Sequence, residues 1–291
     1  MTRYALLATF VLVGVWHVWH WLILERARGV AGTPRAVDVA IGFVTNFFDA
    51  LGIGSFAPTT ALYKFLKRMP DEEIPGTLNV GHAFPTTFEA VIFVAIVQID
   101  IVTLVAMIAA SVAGALLGAG IVTRLPRRAI QLGMGAALLI AASLFIARNL
   151  EWLPAGGAAL ALSGGTLVFA VAVNFVLGVL MMLGVGLYAP CLILVSLLGM
   201  NPLAAFPIMM GSCALLQPAG GARFVRAGRY NPAAARGLTL GGIPGVLIAA
   251  FIVKSLPIEW LRWLVSVAVI YAALMTLRSA WHATRAQVVP T

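Results

Sequence analysis

Residues 51–58 read LGIGSFAP, and residues 183–190 read LGVGLYAP. Five of the eight positions are identical in the two stretches, which lie 132 residues apart. Each stretch lies inside a long apolar run, where two glycines and a proline weaken any helix. The sequence therefore places the same helix-breaking motif in both halves of an apolar chain.

The composition indicates a polytopic α-helical membrane protein. Hydrophobic residues make up 62% of the 291 residues and charged residues only 10%, and the mean hydropathy is +1.01. A soluble domain cannot bury so much apolar surface, and long uncharged stretches recur along the whole chain. The formal net charge of +9 is typical of basic cytoplasmic loops, so we expect membrane lipid and no nucleic acid as a partner.

Apolar stretches of span length predict seven full membrane spans and two helical hairpins. The stretch containing the second motif, 164–199, would measure about 54 Å as one helix, far more than a bilayer core of about 30 Å. We therefore interpret 38–63 and 164–199 as hairpins that carry the motifs at their tips. The predicted full spans are 4–24, 76–98, 101–123, 129–147, 203–222, 232–253 and 259–278.

Sequence similarity between the halves extends beyond the motifs and predicts an internal repeat. GALLGAGIVTRLP at 114–126 aligns with GVLIAAFIVKSLP at 245–257. Repeats of this kind are common in secondary transporters. The predicted organisation is an N-terminal transmembrane helix at 1–35, a first repeat at 36–150, a linker at 151–164, a second repeat at 165–280 and a C-terminal tail at 281–291.

The basic residues predict that the two repeats have opposite orientations. If each motif region crosses the membrane once, the 19 lysines and arginines divide 10 to 9 between the two sides. If each motif region is a hairpin that returns to its starting side, they divide 15 to 4. The positive-inside rule favours the hairpins. It places the N-terminus outside and the C-terminus in the cytoplasm, and we expect the membrane to be a bacterial inner membrane.

The paired motifs predict an anion site where the two hairpin tips meet. Irregular backbone at membrane depth must be buried in protein or line a cavity. Glycines permit the turn, the prolines suit the first turn of the returning helix, and free N–H groups at two helix ends attract an anion. Close helix packing by small residues is the alternative. The predicted site residues of the tips are Gly52, Gly54, Ser55, Pro58, Gly184, Gly186, Tyr188 and Pro190.

Five further polar residues in apolar segments are candidates for the same site. Asp49 and Glu89 are candidates for proton coupling, because a carboxyl group at membrane depth is costly and usually functional. A protonated carboxyl group that is satisfied by a local hydrogen bond is the alternative for both. His82, Ser212 and Gln217 are candidates for orienting the oxygens of an anion. For these three residues, hydrogen bonding between helices is an equally good interpretation.

The chain resembles the TauE/SafE family of sulfite exporters and organosulfonate permeases. The resemblance rests on LGIGSFAP and LGVGLYAP and on the two segments of the form G-x-L/I-x-G/A-x-x-I-V-x-x-L-P, and it covers about residues 40–280. It implies a small sulfur-containing anion, such as sulfite or a short sulfonate, as the substrate. The residues alone indicate only a small anion.

No pattern of residues indicates an enzyme, a metal site or a cofactor. His17 and His20 lie one helical turn apart in WHVWHW, but two ligands are too few for a zinc site. We therefore predict a secondary transporter, proton-coupled through Asp49 or Glu89. Thiosulfate transport, an anion channel and an intramembrane enzyme remain alternatives, and a homodimer remains open.

Overall fold

The fold is described from a computed structural model. The structure describes residues 2–30, 32–153 and 156–252, together with 267, 270, 273, 274, 276–278 and 281. In these ranges the chain forms α-helices, two short 3-10 helices at Asp71–Glu73 and Pro202–Ala204, and connecting loops. The α-helices are α1 (Thr2–Ala27), α2 (Ala36–Ala50), α3 (Phe56–Phe65), α4 (Ile74–Gly81), α5 (Ala83–Ile96), α6 (Ile101–Val122), α7 (Arg127–Asn149), α8 (Gly164–Met181), α9 (Tyr188–Leu197), α10 (Ala205–Ala227) and α11 (Pro232–Ile252).

The predicted all-α polytopic fold is confirmed. Six described helices are long and apolar enough to cross a membrane, namely α1, α6, α7, α8, α10 and α11. The segments Asp71–Gly81 and Ala83–Ile96 together form a bent seventh candidate. Most of the predicted span at 259–278 lies outside the described residues.

The span predicted as one helix at 76–98 is instead two helices that meet at His82 at an angle of 41°. Pro85 is the cause, because proline has no N–H group to donate to the carbonyl oxygen four residues earlier, that of Gly81. The Gly81 carbonyl instead accepts a hydrogen bond from Thr239 Oγ1 at 2.8 Å. The bend is therefore stabilised by a contact with α11.

The first hairpin, α2 and α3, returns to the side of the molecule from which it starts. Asp38 lies in the first turn of α2 and Arg68 follows α3. Their side chains form an ion pair with a distance of 2.8 Å between Nη2 and Oδ2. The carboxyl group of Asp38 is almost fully buried, and this pair joins the two ends of the hairpin.

The two ends of the second hairpin, α8 and α9, also lie side by side, and backbone hydrogen bonds join them. Gly157 N–H donates to Met200 O at 3.0 Å, and Asn201 N–H donates to Ala159 O at 2.8 Å. The chain before α8 therefore runs beside the chain after α9. Asp100 N–H donates to Leu160 O at 2.9 Å, which places this end beside the loop between α5 and α6.

The two hairpins start from opposite sides of the molecule. The first hairpin starts beside the ends of α1, α6 and α10, where Arg28 donates to Val225 O and Arg229 donates to Leu125 O. We call this the basic side. The second hairpin starts beside the N-terminus, where Arg3 donates to Val94 O. The division of the chain into two repeats stays a prediction, but this arrangement of the hairpins is what inverted repeats require.

Glycines bring the first arm of each hairpin close to a helix of the other half. A Cβ atom on Gly241 of α11 would lie 1.9 Å from Val39 O in α2. A Cβ atom on Gly114 of α6 would lie 2.0 Å from Phe175 O in α8. Small residues permit such close approach of helices in membranes, so these glycines are packing residues.

Candidate functional site at the hairpin tips

Each tip is a short turn that begins with the same backbone hydrogen bond. Gly52 N–H donates to Asp49 O at 2.8 Å in the first tip, and Gly184 N–H donates to Met181 O at 3.0 Å in the second. In the first tip alone, the Asp49 carboxyl group also accepts a hydrogen bond from Ser55 N–H at 2.8 Å. Asp49 therefore helps to close its own turn, which is a local hydrogen bond of the kind that the alternative interpretation describes.

The two tips touch each other through equivalent positions. A Cβ atom on Gly54 would lie 3.5 Å from Tyr188 Cβ, and a Cβ atom on Gly186 would lie 3.6 Å from Phe56 Cβ. Gly54 corresponds to Gly186 and Phe56 to Tyr188 in the two motifs, so the two contacts are the same pair with the partners exchanged. Exchanged pairs are the mark of a two-fold arrangement.

Three of the four motif glycines have backbone conformations that favour glycine. The φ angles are +83° at Gly52, +92° at Gly54 and +91° at Gly184. The prediction that glycine permits the turn is wrong for Gly186, which has no positive φ angle. Both tips therefore require glycine at their first motif glycine, Gly52 or Gly184, but only the first tip requires it at the second, Gly54.

The motif glycines differ from the packing glycines in the space around them. A Cβ atom on Gly54, Gly184 or Gly186 would meet no atom closer than 3.5 Å, whereas one on Gly114 would overlap backbone at 2.0 Å. Gly52 is the exception, since its Cβ atom would lie 2.8 Å from the Phe206 ring. Close helix packing therefore does not account for three of these glycines.

Both returning helices begin at the tips with proline in the first turn. Pro58 is the third residue of α3, and Pro190 is the third residue of α9. The first N–H groups of a helix have no acceptor within the helix, and neither α3 nor α9 has a side-chain hydrogen bond at its N-cap. Two positive helix ends thus lie at the place where the tips touch.

A hydrogen bond between Tyr188 and Glu89 connects the second tip to α5. The Tyr188 hydroxyl donates to Glu89 Oε2 at 2.7 Å. Glu89 is fully buried, and its other oxygen, Oε1, has no hydrogen-bond partner among the described residues. The carboxyl groups of Asp49 and Glu89 are also close enough to interact electrostatically. The tips therefore bring together both predicted proton-coupling residues.

His82 lies behind the first tip, at the bend between α4 and α5. Its Nε2 atom is 3.1 Å from Thr59 Oγ1, and its Nδ1 atom is 3.1 Å from Asn46 Oδ1. The ring centroids of His82 and Phe56 are 5.7 Å apart. His82 thus links both arms of the first hairpin, and its ring nitrogens have partners within the protein.

Gln217 and Ser212 lie on α10 and contact other helices. Gln217 Oε1 accepts a hydrogen bond from Thr86 Oγ1 at 3.4 Å, next to the bend at His82. Ser212 Oγ is 3.4 Å from Asn174 Nδ2 on α8. Both contacts join α10 to another helix, as expected if these residues form hydrogen bonds between helices.

The ion pairs of the described residues leave both tip carboxyl groups without a basic partner. Each of these pairs involves Lys64, Arg68, Arg127 or Arg236, and none includes Asp49 or Glu89. The same part of the chain contains no group of three or more side chains suited to a metal ion. His17 is buried and contacts Val80 O at 3.2 Å, which gives it a structural role in α1.

Comparison with known proteins identifies one family. The family model described as "Sulfite exporter TauE/SafE" matches residues 1–145 and 166–290. The match covers nearly the whole chain and both hairpins. No curated protein and no solved structure is significantly similar to the chain.

Proposed function

Because the chain belongs to the sulfite exporter TauE/SafE family, we propose that it is a proton-coupled secondary transporter of small sulfur-containing anions. The observation that carries this proposal is the contact between the two hairpin tips. Two helix N-termini and two buried carboxyl groups are gathered there. Discontinuous helices of this kind form substrate sites in other secondary transporters.

The first step of the proposal is that the anion binds to backbone N–H groups. The positive φ angles of Gly54 and Gly184 turn the chain so that α3 and α9 begin at the tips. Their free N–H groups and helix dipoles attract negative charge without a buried lysine or arginine. Substrate-binding residues in this proposal are those of the two tips, with His82, Ser212 and Gln217 supporting them from α4, α5 and α10.

The second step is that protons accompany the anion. Asp49 and Glu89 are buried beside the tips and lack a basic partner in the described residues. A buried carboxyl group without a cation is far more stable when it carries a proton. Uptake and release of that proton with each cycle would couple the anion to the proton gradient.

The third step is the orientation of the protein in the membrane, which follows from the lysines and arginines on the basic side. Lysines and arginines cluster where α1, α6 and α10 end, including Arg68, Arg127 and Arg229. The positive-inside rule makes this the cytoplasmic side of a bacterial inner membrane. The N-terminus then lies outside, and the first hairpin enters from the cytoplasm.

Orientation can be tested by labelling single cysteines in a background without Cys191 and Cys213. Lys67→Cys and Arg226→Cys should react only with reagent on the cytoplasmic side, and Leu153→Cys only with reagent outside. Labelling of positions 67 and 226 from opposite sides would contradict the two-hairpin topology.

The transport proposal is tested with purified protein in proteoliposomes. The panel is sulfite, methanesulfonate, thiosulfate, sulfate and chloride, each with and without an inward proton gradient. We expect saturable uptake of sulfite or methanesulfonate that the gradient accelerates, and competition between the two. Asp49→Asn or Glu89→Gln should abolish the acceleration by the gradient.

Three outcomes would contradict the proposal. Flux that rises linearly with concentration and ignores competitors would indicate a channel. Chemical conversion of the substrate during uptake would indicate an enzyme. Gradient-driven transport at the normal rate in both carboxyl variants would remove Asp49 and Glu89 from the mechanism.

A further inference from the structure

We infer that the tip site accepts singly charged sulfur oxyanions and rejects doubly charged ones, so that a protonated Glu89 helps to select the substrate. This inference rests on the proposed function and specifies its substrate class. In this account bisulfite and alkylsulfonates are substrates, whereas sulfate and fully ionised sulfite are not. The charges that the described residues place at the tips balance one negative charge on a ligand and not two.

The positive charge at the tips comes from two helix ends. Each helix N-terminus acts as roughly half a positive elementary charge. The starts of α3 and α9 together therefore supply about one positive charge, which balances one negative charge on a ligand. The tip residues Ser55, Phe56 and Tyr188 are almost fully buried, so solvent adds little screening.

No lysine or arginine of the described residues forms an ion pair with a carboxyl group at the tips, and the imidazole behind the first tip, His82, has Thr59 and Asn46 as partners of its ring nitrogens. Three of the half-buried basic groups, Lys64, Arg68 and Arg236, are paired with Asp71, Asp38 and Glu25. The electrostatic neighbours of Glu89 are Asp49 and Tyr188. The titratable groups around the tip carboxyls are therefore Asp49 on α2, His82 between α4 and α5, Glu89 on α5, Tyr188 on α9 and Cys213 on α10.

An anion can enter this site only when the carboxyl groups are neutral. A carboxylate at Glu89 would repel the ligand and offset about the whole of this positive charge. When Glu89 carries a proton on Oε1, the atom that has no partner in the structure becomes a hydrogen-bond donor. The Tyr188 hydroxyl holds the other oxygen, Oε2, and so fixes the carboxyl group in place.

The partnerless Oε1 atom is the observation that points to a ligand. A buried polar atom without a partner is costly, and of the several in the described residues, Oε1 of Glu89 belongs to the carboxyl group that Tyr188 of the second tip contacts. A protonated Oε1 that donates to an oxygen of the substrate would satisfy it. A second negative charge on the substrate would have no counterpart at the tips, and an uncompensated buried charge is strongly unfavourable.

The test compares methanesulfonate with sulfate, two tetrahedral sulfur oxyanions of similar size and different fixed charge. Binding to the purified full chain is measured by calorimetry at pH 6 and pH 8. We expect sulfate to bind roughly a hundredfold more weakly than methanesulfonate at pH 6. Methanesulfonate does not titrate in this range, so any loss of its affinity at pH 8 reports protons on the protein.

Glu89→Gln provides the matched variant, because glutamine has the shape of a protonated glutamate and keeps a donor and an acceptor. We expect this variant to bind methanesulfonate with an affinity that no longer falls from pH 6 to pH 8. It should still reject sulfate, because it adds no positive charge. Asp49→Asn gives a second variant of the same kind, in case Glu89→Gln does not fold.

The outcomes separate this inference from the proposed function. If sulfate and methanesulfonate bind equally well, the charge argument is wrong, while the transporter proposal stands. If an unchanged pH dependence is found in both variants, the tip carboxyl groups do not carry the relevant protons. If neither methanesulfonate nor sulfite binds at either pH, the proposed function itself fails.

Discussion

Tyr188→Phe removes the one hydrogen bond that the described residues make to the Glu89 carboxyl group. The substitution keeps the ring, its volume and its contact with Gly54. It leaves both carboxyl oxygens of Glu89 buried and without a partner. This change therefore isolates the contribution of a single hydroxyl group that connects the second hairpin to α5.

The magnitude follows from the burial of both partners. Glu89 is 0% exposed and Tyr188 is 3% exposed, so water cannot replace the lost donor. Leaving a buried acceptor unsatisfied costs about 1–3 kcal/mol. We therefore expect Tyr188→Phe to lower the free energy of unfolding by that amount, and to weaken methanesulfonate binding because Glu89 is no longer held in place.

Tyr63→Phe is the matched control. Tyr63 is also fully buried, but its hydroxyl group has no hydrogen-bond partner in the described residues. Its removal should leave the free energy of unfolding unchanged or raise it slightly, since an unsatisfied polar group disappears. The control thus measures what the loss of a buried tyrosine hydroxyl does when no bond is broken.

The assay is unfolding of the purified protein in detergent, followed by tryptophan fluorescence, with methanesulfonate affinity measured on the same samples. The reasoning requires a clear loss in Tyr188→Phe and none in Tyr63→Phe. Equal stability of both variants and unchanged affinity in Tyr188→Phe would show that the contact with Glu89 carries no energy.

Three further predictions concern the turn, the closure of the first hairpin and the loop before α6. Gly54→Ala should destabilise the protein by about 1–3 kcal/mol because Gly54 has φ +92°, whereas Gly186→Ala and the exposed control Gly165→Ala should be nearly neutral in the same unfolding assay. Equal losses at positions 54 and 186 would contradict this. Arg68→Met should cost about 3–5 kcal/mol because it leaves the buried Asp38 carboxylate unpaired, and Asp38→Asn in the same chain should restore part of the loss; additive losses would refute the pairing. Asp100 caps α6 through Thr103 N–H and Oγ1, and these hydrogen bonds hold the pKa of its carboxyl group below the usual range. This cap contributes about 0.5–2 kcal/mol to the free energy of unfolding. The contribution is present above the unfolded-state pKa of Asp100 and is lost as the pH falls through the lowered folded-state pKa. Asp100→Asn should keep most of the cap and remove this acid dependence, and an unchanged stability-versus-pH curve would argue against it.

The parts of the fold that follow from local chemistry could be predicted from the sequence. Apolar length gave the spans, and the paired glycine motifs with Pro58 and Pro190 gave the two turns and the start of each returning helix. The bend at His82 was missed, although Pro85 four residues after Gly81 was a visible signal. A proline inside an apolar helix frees a specific carbonyl group, and this could have been read from the spacing.

The contacts of the site could not be predicted in the same way. Tyr188 and Glu89 are 99 residues apart in the chain and meet only because α5 packs beside the second tip. Asp49 and Glu89 have no acidic counterparts in the second repeat, so repeat symmetry gave no reason to place them together. Gly54 has a positive φ angle and Gly186 does not, a difference that two nearly identical motifs do not reveal.

The most direct test of the account is to locate a bound anion at the tips. Selenite is the selenium analogue of sulfite, and anomalous diffraction from crystals soaked with it at pH 6 reports the position of selenium. The account predicts one strong peak between Gly54 and Gly186, within hydrogen-bonding reach of the first N–H groups of α3 and α9. A peak only on the basic side, near Arg127 and Arg229, or no peak at the tips at a concentration that saturates transport, would contradict it.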